Sequence, residues 1–184
     1  MKPILVIGNA SAIQGRNMGA IIDATPHVMR FNDFASGDKY ASDYGTRTTH
    51  HAFSWEMRAH AMPDCKRIVS TAAHHYANRP DMQAKTLALP VGAAQVVPLE
   101  FVVESAIDAG IAWPKFPSTG LVTVRWLIAN GYAPTLLNFD GFATGHYYDG
   151  PTGNATDQAA HHWDAETRFF KELEASGEIS IYRS

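Results

Sequence analysis

Ile4-Leu-Val-Ile-Gly-Asn-Ala-Ser11, continued by Arg30-Phe-Asn-Asp33 and by Tyr44-Gly-Thr-Arg-Thr-Thr-His-His51, is the stretch on which the fold turns. An apolar run of strand length meets Gly8 and Asn9 without a spacer. Ile13, Met18, Ile21 and Ile22 follow at helical intervals, so the spacing predicts strand, tight turn, helix. A glycine at the carboxyl end of such a strand lets a ligand approach the main chain, and helix amides just beyond it can meet phosphate oxygens. Residues 27–31 predict a second strand. Right-handed crossovers keep parallel strands pointing one way, so Asn32 arrives at the same sheet edge as Asn9. Asparagine is common where strands end in turns; its repeat after two successive strands favours a shared crevice.

The chain has 184 residues, 46% of them hydrophobic, enough for a sizeable core in one domain spanning 1–184. A net charge of -3 with scattered Lys and Arg gives no footprint for nucleic acid and no polybasic membrane surface. Cys65 is the only cysteine, which excludes an internal disulfide and suits a reducing compartment. The apolar run at 3–7 is too short for a signal sequence or a membrane span, so a soluble cytoplasmic protein is expected.

Further along, residues 33–45 carry the Gly, Asp and Ser content of an exposed loop, and 46–53 predict a third strand in which Arg47 tethers that loop through Asp38 or Asp43. His50 and His51 then point to opposite faces. A short helix is expected at 54–61, a strand at 67–70 with His74 and His75 beyond it, and a helix at 82–87. A short strand at 96–97 precedes a helix at 99–109 with Pro98 as its first residue and Gly110 as its stop. Trp113-Pro-Lys-Phe-Pro-Ser-Thr-Gly120 is the second informative stretch. Ser118 or Thr119 caps the following helix, whose opening presents two hydroxyls and several unpaired amides, either an ordinary cap or an anion receptor. That helix ends at Asn130-Gly131, and a strand at 135–139 leads to Asp140-Gly-Phe142, where an aromatic ring can lie beside a ligand. After the polar loop from Gly145, His161-His-Trp-Asp-Ala-Glu166 leads into a helix with Trp163, Phe170 and Leu173 on its buried face. Histidine titrates near neutrality, and two separate His positions supply one base and one cation.

These residues carry a family resemblance. Val6-Ile-Gly-Asn9, the Ile13, Gly15 and Gly19 spacing, Val28-Met-Arg-Phe-Asn32 and Tyr44 to His51 resemble the large sialylmotif of the glycosyltransferase family 29 sialyltransferases. Pro117-Ser-Thr-Gly120 with Asn138-Phe-Asp-Gly-Phe142 resembles the small motif, His146-Tyr-Tyr148 the third, and His161 through Glu166 the very small motif. The resemblance implies an α/β fold, a GT-A variant with a Rossmann-like, mostly parallel central sheet flanked by helices. It implies a metal-independent, inverting transferase with no cofactor, moving sialic acid or a related keto-sugar acid from a CMP donor, CMP-sialic acid or CMP-Kdo, to a glycan acceptor. By matching position, Asn9 and Asn32 bind the nucleotide, Ser118, Thr119 and Gly120 hold its ribose and phosphate, and Phe142 lies against the cytosine. His146 pairs with the departing phosphate and His161 is the general base, with His162 in reserve because it shares a helix face with Glu166. The disulfide that joins large and small motifs in animal members has no counterpart here.

Two other classes compete. Paired histidines at 50/51, 74/75 and 161/162 suggest a metallohydrolase, although adjacent His residues are poor co-ligands on one element and no His-Glu-x-x-His pattern occurs. A nucleotide-binding module without transferase activity would keep the asparagines and the Ser-Thr-Gly cap.

Overall fold

The computed structural model describes residues 1–32, 34, 37–54, 65–69, 95–141, 143–146 and 161–183. Strands β1 (Lys2–Ile7), β2 (Val28–Phe31), β3 (His50–Phe53), β4 (Lys66–Val69), β5 (Gln95–Val96), β6 (Tyr132–Leu137) and β7 (Ser180–Ile181) form one sheet. Their order is β5-β4-β3-β2-β1-β6-β7, and every neighbouring pair is parallel. The chain winds outward from β1 to β5, then crosses to the other side for β6 and β7. The winding therefore reverses between β1 and β6, where open α/β sheets leave a crevice at the strand ends.

Alternation along the strands divides the core. Ile4, Val6, Met29, Phe31, Ala52, Ile68 and Leu136 face α3 (Leu99–Asp108), α4 (Thr119–Ala129) and α5 (Trp163–Ala175), which contribute Val102, Leu121, Phe170 and Leu173 among others. Leu5, Ile7, Val28 and Leu137 face the opposite side, where Ile22 of α1 (Gly19–Ala24) and Tyr44 of α2 (Asp38–Tyr44) meet them with Ile13 and Met18. Covered on both faces, β1 needs apolar side chains at consecutive positions, which is why it reads as an unbroken run.

Four local expectations are corrected. The helix behind β1 starts only at Gly19, because Gly15 at φ +79° and Asn17 at φ +54° take left-handed conformations that a helix cannot contain. Residues 38–44, expected as loop, are α2. This helix lies against α1 so closely that a Cβ on Gly19 would come within 1.9 Å of the Ala41 carbonyl oxygen. Arg30, buried in β2, donates from its guanidinium to the Tyr44 carbonyl at the end of α2 and, through Nε, to the Arg47 carbonyl at 3.1 Å. Arg47 itself does not reach Asp38 or Asp43; its side chain donates to the Pro26 carbonyl at 3.3 Å. Asp43 instead accepts from the amides of Gly15 and Asn17 at 2.8 and 2.9 Å, and Asp23 from those of Thr46 and Arg47 at 2.8 and 2.7 Å. Pro98 proves to be the cap of α3 rather than its first residue. The helices expected at 54–61 and 82–87, with His74 and His75, lie outside the described residues. No helix among the described residues is long and apolar enough to cross a membrane.

Candidate active site

The turn after β1 is built by close approach. A Cβ on Gly8 would sit 2.3 Å from the Asn138 carbonyl oxygen, so only glycine lets the strand exit against the end of β6. Asn138, itself left-handed at φ +65°, donates from Nδ2 to the carbonyls of Gly8 and Ala10, and the buried Tyr44 hydroxyl donates to Ala10 at 3.0 Å. The turn is thus clamped from β6 and from α2. Asn9 fastens it to the neighbouring strand by donating from Nδ2 to the Phe31 carbonyl at 3.1 Å. Asn32, at φ +48°, accepts the Ser54 amide on Oδ1 at 3.0 Å and the His51 Nε2–H on its carbonyl at 2.9 Å. Fixing Oδ1 fixes the amide plane; Nδ2 points the other way and has no partner among the described residues. His146 is laid against the same turn by an antiparallel bridge to Ala10. Ser11 secures the bridge, donating its amide to the Gly145 carbonyl at 3.1 Å and its hydroxyl to the Thr144 carbonyl at 3.1 Å.

The opening of α4 forms the adjoining wall. Of the two expected caps Ser118 is the one used, its Oγ accepting the Leu121 amide at 3.1 Å. The same residue gives both its donors to Glu166, amide to Oε1 at 2.7 Å and hydroxyl to Oε2 at 2.5 Å. Its hydroxyl is therefore turned inward. The amides of Thr119 and Gly120 have no partner among the described residues and carry the partial positive charge of the helix end. Glu166 is 2% exposed, and burial pushes its carboxyl up to about 7 against the opposing pull of the two Ser118 hydrogen bonds. Phe139 joins the two walls: its ring lies 3.2 Å from where a Cβ would stand on Gly8 and 3.2 Å from where one would stand on Gly120.

The adjacent histidines divide their work. His161 donates from Nδ1 to the Phe116 carbonyl at 2.9 Å, which places the lone pair of the neutral ring on Nε2. Lys115 Nζ holds the His161 carbonyl at 3.0 Å, and the Trp163 ring stands 5.0 Å from the imidazole. His162 is exposed and caps α5, its Nδ1 accepting the Ala165 amide at 3.2 Å. His51 and His50 do point to opposite faces of the sheet: His51 supports Asn32, whereas His50 lies with Thr49 and Tyr132 at hydrogen-bond distances of 2.9 and 3.3 Å. Burial, Lys66 and His27 hold the His50 imidazole down at about 4.

The structure therefore brings Asn9, Asn32 and His146 to one edge of the sheet and sets Ser118 to Gly120, Glu166 and His161 beside them, with Phe139 between. Phe142 lies outside the described residues. Lys115, Phe116 and the clamping side chain of Asn138 are contributions that sequence reading did not single out. Among the described residues no three His, Cys, Asp or Glu side chains are grouped to hold a metal ion.

Residues 2–86 match the family model described as Glycosyltransferase family 29 (sialyltransferase). Sequence comparison with curated proteins gives no match. Among solved structures, a mammalian sialyltransferase in complex with Gal-beta-1-3GalNAc-ortho-nitrophenol superposes with a TM-score of 0.74 at 18% identity, covering 100% of this chain and 70% of that one. The sialyltransferase CstII from Campylobacter jejuni, in complex with the substrate analogue cytidine-5'-monophosphate, gives 0.60 at 16% identity, covering 99% of this chain and 79% of that one. At these identities the likeness is one of fold: mixed α/β, with a mostly parallel sheet flanked by helices. The stretch that contains β1 to β4 is thus similar in sequence to glycosyltransferase family 29, the sialyltransferases.

Proposed function

We propose that the chain is a metal-independent, inverting sialyltransferase that uses CMP-sialic acid, with CMP-Kdo as the alternative donor, and works on a GT-A variant with a Rossmann-like sheet. Asn9 and Asn32 bind the nucleotide, the amides of Thr119 and Gly120 meet its phosphate behind the Ser118 cap, Phe142 lies on the cytosine and His146 pairs with the phosphate. His161 Nε2 takes the proton of the acceptor hydroxyl as that oxygen attacks the anomeric carbon. The bond from that carbon to the phosphate oxygen breaks on the opposite face, and its electron pair leaves with CMP. Preorganised amides and a protonated imidazole stabilise the growing phosphate charge without a cation. General-base help of this kind is worth about 10²- to 10⁴-fold.

One observation supports this reading above the others. A single short segment, 116–120, fixes the tautomer of His161 at one end through the Phe116 carbonyl and turns the amides of Thr119 and Gly120 outward at the other. Base and anion receptor are thereby set by the same few residues. A screen of CMP-activated sugars against a glycan panel, read by mass spectrometry, tests the activity. His161→Ala is expected to abolish transfer with CMP affinity nearly intact, and His146→Ala to weaken both; calorimetry showing equal loss of CMP binding in the two variants refutes these roles. Tight CMP binding with no turnover on any acceptor would favour the nucleotide-binding module instead.

A further inference from the structure

Trp113 is 80% exposed, the largest exposure of any bulky apolar side chain among the described residues, with Met1 next at 79%. An indole in water forgoes a large hydrophobic gain, so its position matters. It stands on the segment that serves the candidate base. Its ring meets that of Phe116 edge to face at 5.1 Å, the Phe116 carbonyl receives the His161 Nδ1–H at 2.9 Å, and Lys115, between them in sequence, holds the His161 carbonyl at 3.0 Å. The contact with Phe116 orients the indole and leaves most of it to solvent.

We propose that Trp113 is a platform for the acceptor glycan, taking on its indole face the sugar residue next to the one whose hydroxyl reacts. The inference rests on the transferase reading above. A pyranose presents a face of axial C–H groups that packs on an aromatic ring while its hydroxyls stay in water, and an indole held by a neighbouring ring gives up little freedom on binding. Position fixes which sugar it serves. The reacting hydroxyl must lie within hydrogen-bond reach of His161 Nε2. One aromatic ring and one carbonyl separate the imidazole from the indole, a gap suited to the next saccharide of the acceptor and not to the reacting sugar itself. Trp113 is thus a specificity residue and takes no part in the proton transfer.

The test compares a disaccharide acceptor, Gal-β1-3GalNAc, with the monosaccharide methyl β-galactoside. Trp113→Ala is expected to raise KM for the disaccharide about three- to tenfold, the range of one aromatic contact. The KM values for the monosaccharide and for the donor are expected to stay in place, and Trp113→Phe to recover most of the loss. An equal rise for both acceptors, or a raised donor KM, overturns the proposal by making Trp113 a support of the site as a whole. Binding of the two sugars is measured in parallel by saturation-transfer NMR, with no donor present. If the unaltered protein turns over no CMP-sugar yet binds the disaccharide, and Trp113→Ala weakens that binding, the transferase reading fails and the platform stands. If the disaccharide binds both proteins alike, or neither, the platform fails whatever the donor assay gives.

Discussion

Glu166 receives two donors from one residue, yet burial still lifts its carboxyl from 4.5 to about 7. Between those values the folded chain keeps a proton that the unfolded chain has released. Its contribution to stability is therefore greatest below 4.5 and is lost as pH rises to about 7, by about 3 kcal/mol in all. Glu166→Gln retains an acceptor for the Ser118 amide and abolishes the titration, so its melting temperature is expected to lose that part of the slope. Glu166→Ala leaves a buried cap half-satisfied and is expected to cost about 2–3 kcal/mol, read as a lower denaturation midpoint. The spacing of Glu166 from His161 was legible in the sequence; its partner was not, since Ser118 lies 48 positions upstream and only the packing of α5 on α4 joins them.

Elements were legible in proportion to how much local pattern decided them. Strands β1 and β2 announce themselves because each is mostly apolar and ends at a turn residue, whereas β3 occupies only His50–Phe53 of the strand expected at 46–53. Helix α2 did not, because its only buried side chain is Tyr44; close contact with α1 and the Arg30 guanidinium at its last carbonyl hold it. The signal against a helix directly behind β1 was present in Gly15 and Asn17, but apolar spacing outweighed it. Gly19→Ala places a methyl against main-chain oxygens of α2 at 1.9 and 2.7 Å, and a loss of about 3 kcal/mol is expected in denaturant titration. Gly37→Ser, at the cap of α2 with open space around it, is expected to be neutral or slightly stabilising; equal effects of the two changes would remove the close-approach account.

At the scale of the whole molecule the buried groups His50 and Glu166 act in opposite senses. The His50 imidazole, held at about 4, stays neutral in the fold while the unfolded chain takes up a proton near 6.5, so its contribution is present above 6.5 and lost as pH falls toward 4. Glu166 gains over much of the window in which His50 loses. A nearly level stability is expected between 4.5 and 6.5, the interval common to both. Glu166→Gln should expose a decline toward acid and His50→Gln a rise; slopes of the same sign in the two variants contradict the assignment. Neither group could be recognised in the sequence, because each owes its titration to neighbours contributed by other elements.

The place of β1 in the sheet has a further consequence for how the chain is made. This strand leaves the ribosome well before β6, yet one of its two edges is closed only by β6, through a register running from Lys2 opposite Tyr132 to Ile7 opposite Leu137. A nascent chain that has emerged only as far as α4 must shelter an apolar strand with one side open, and the Gly8 turn cannot be clamped until Asn138 arrives. The edge that carries the candidate site is therefore a late event of synthesis, and chains halted before residue 132 are expected to recruit chaperones or one another, whereas chains released after β6 are not.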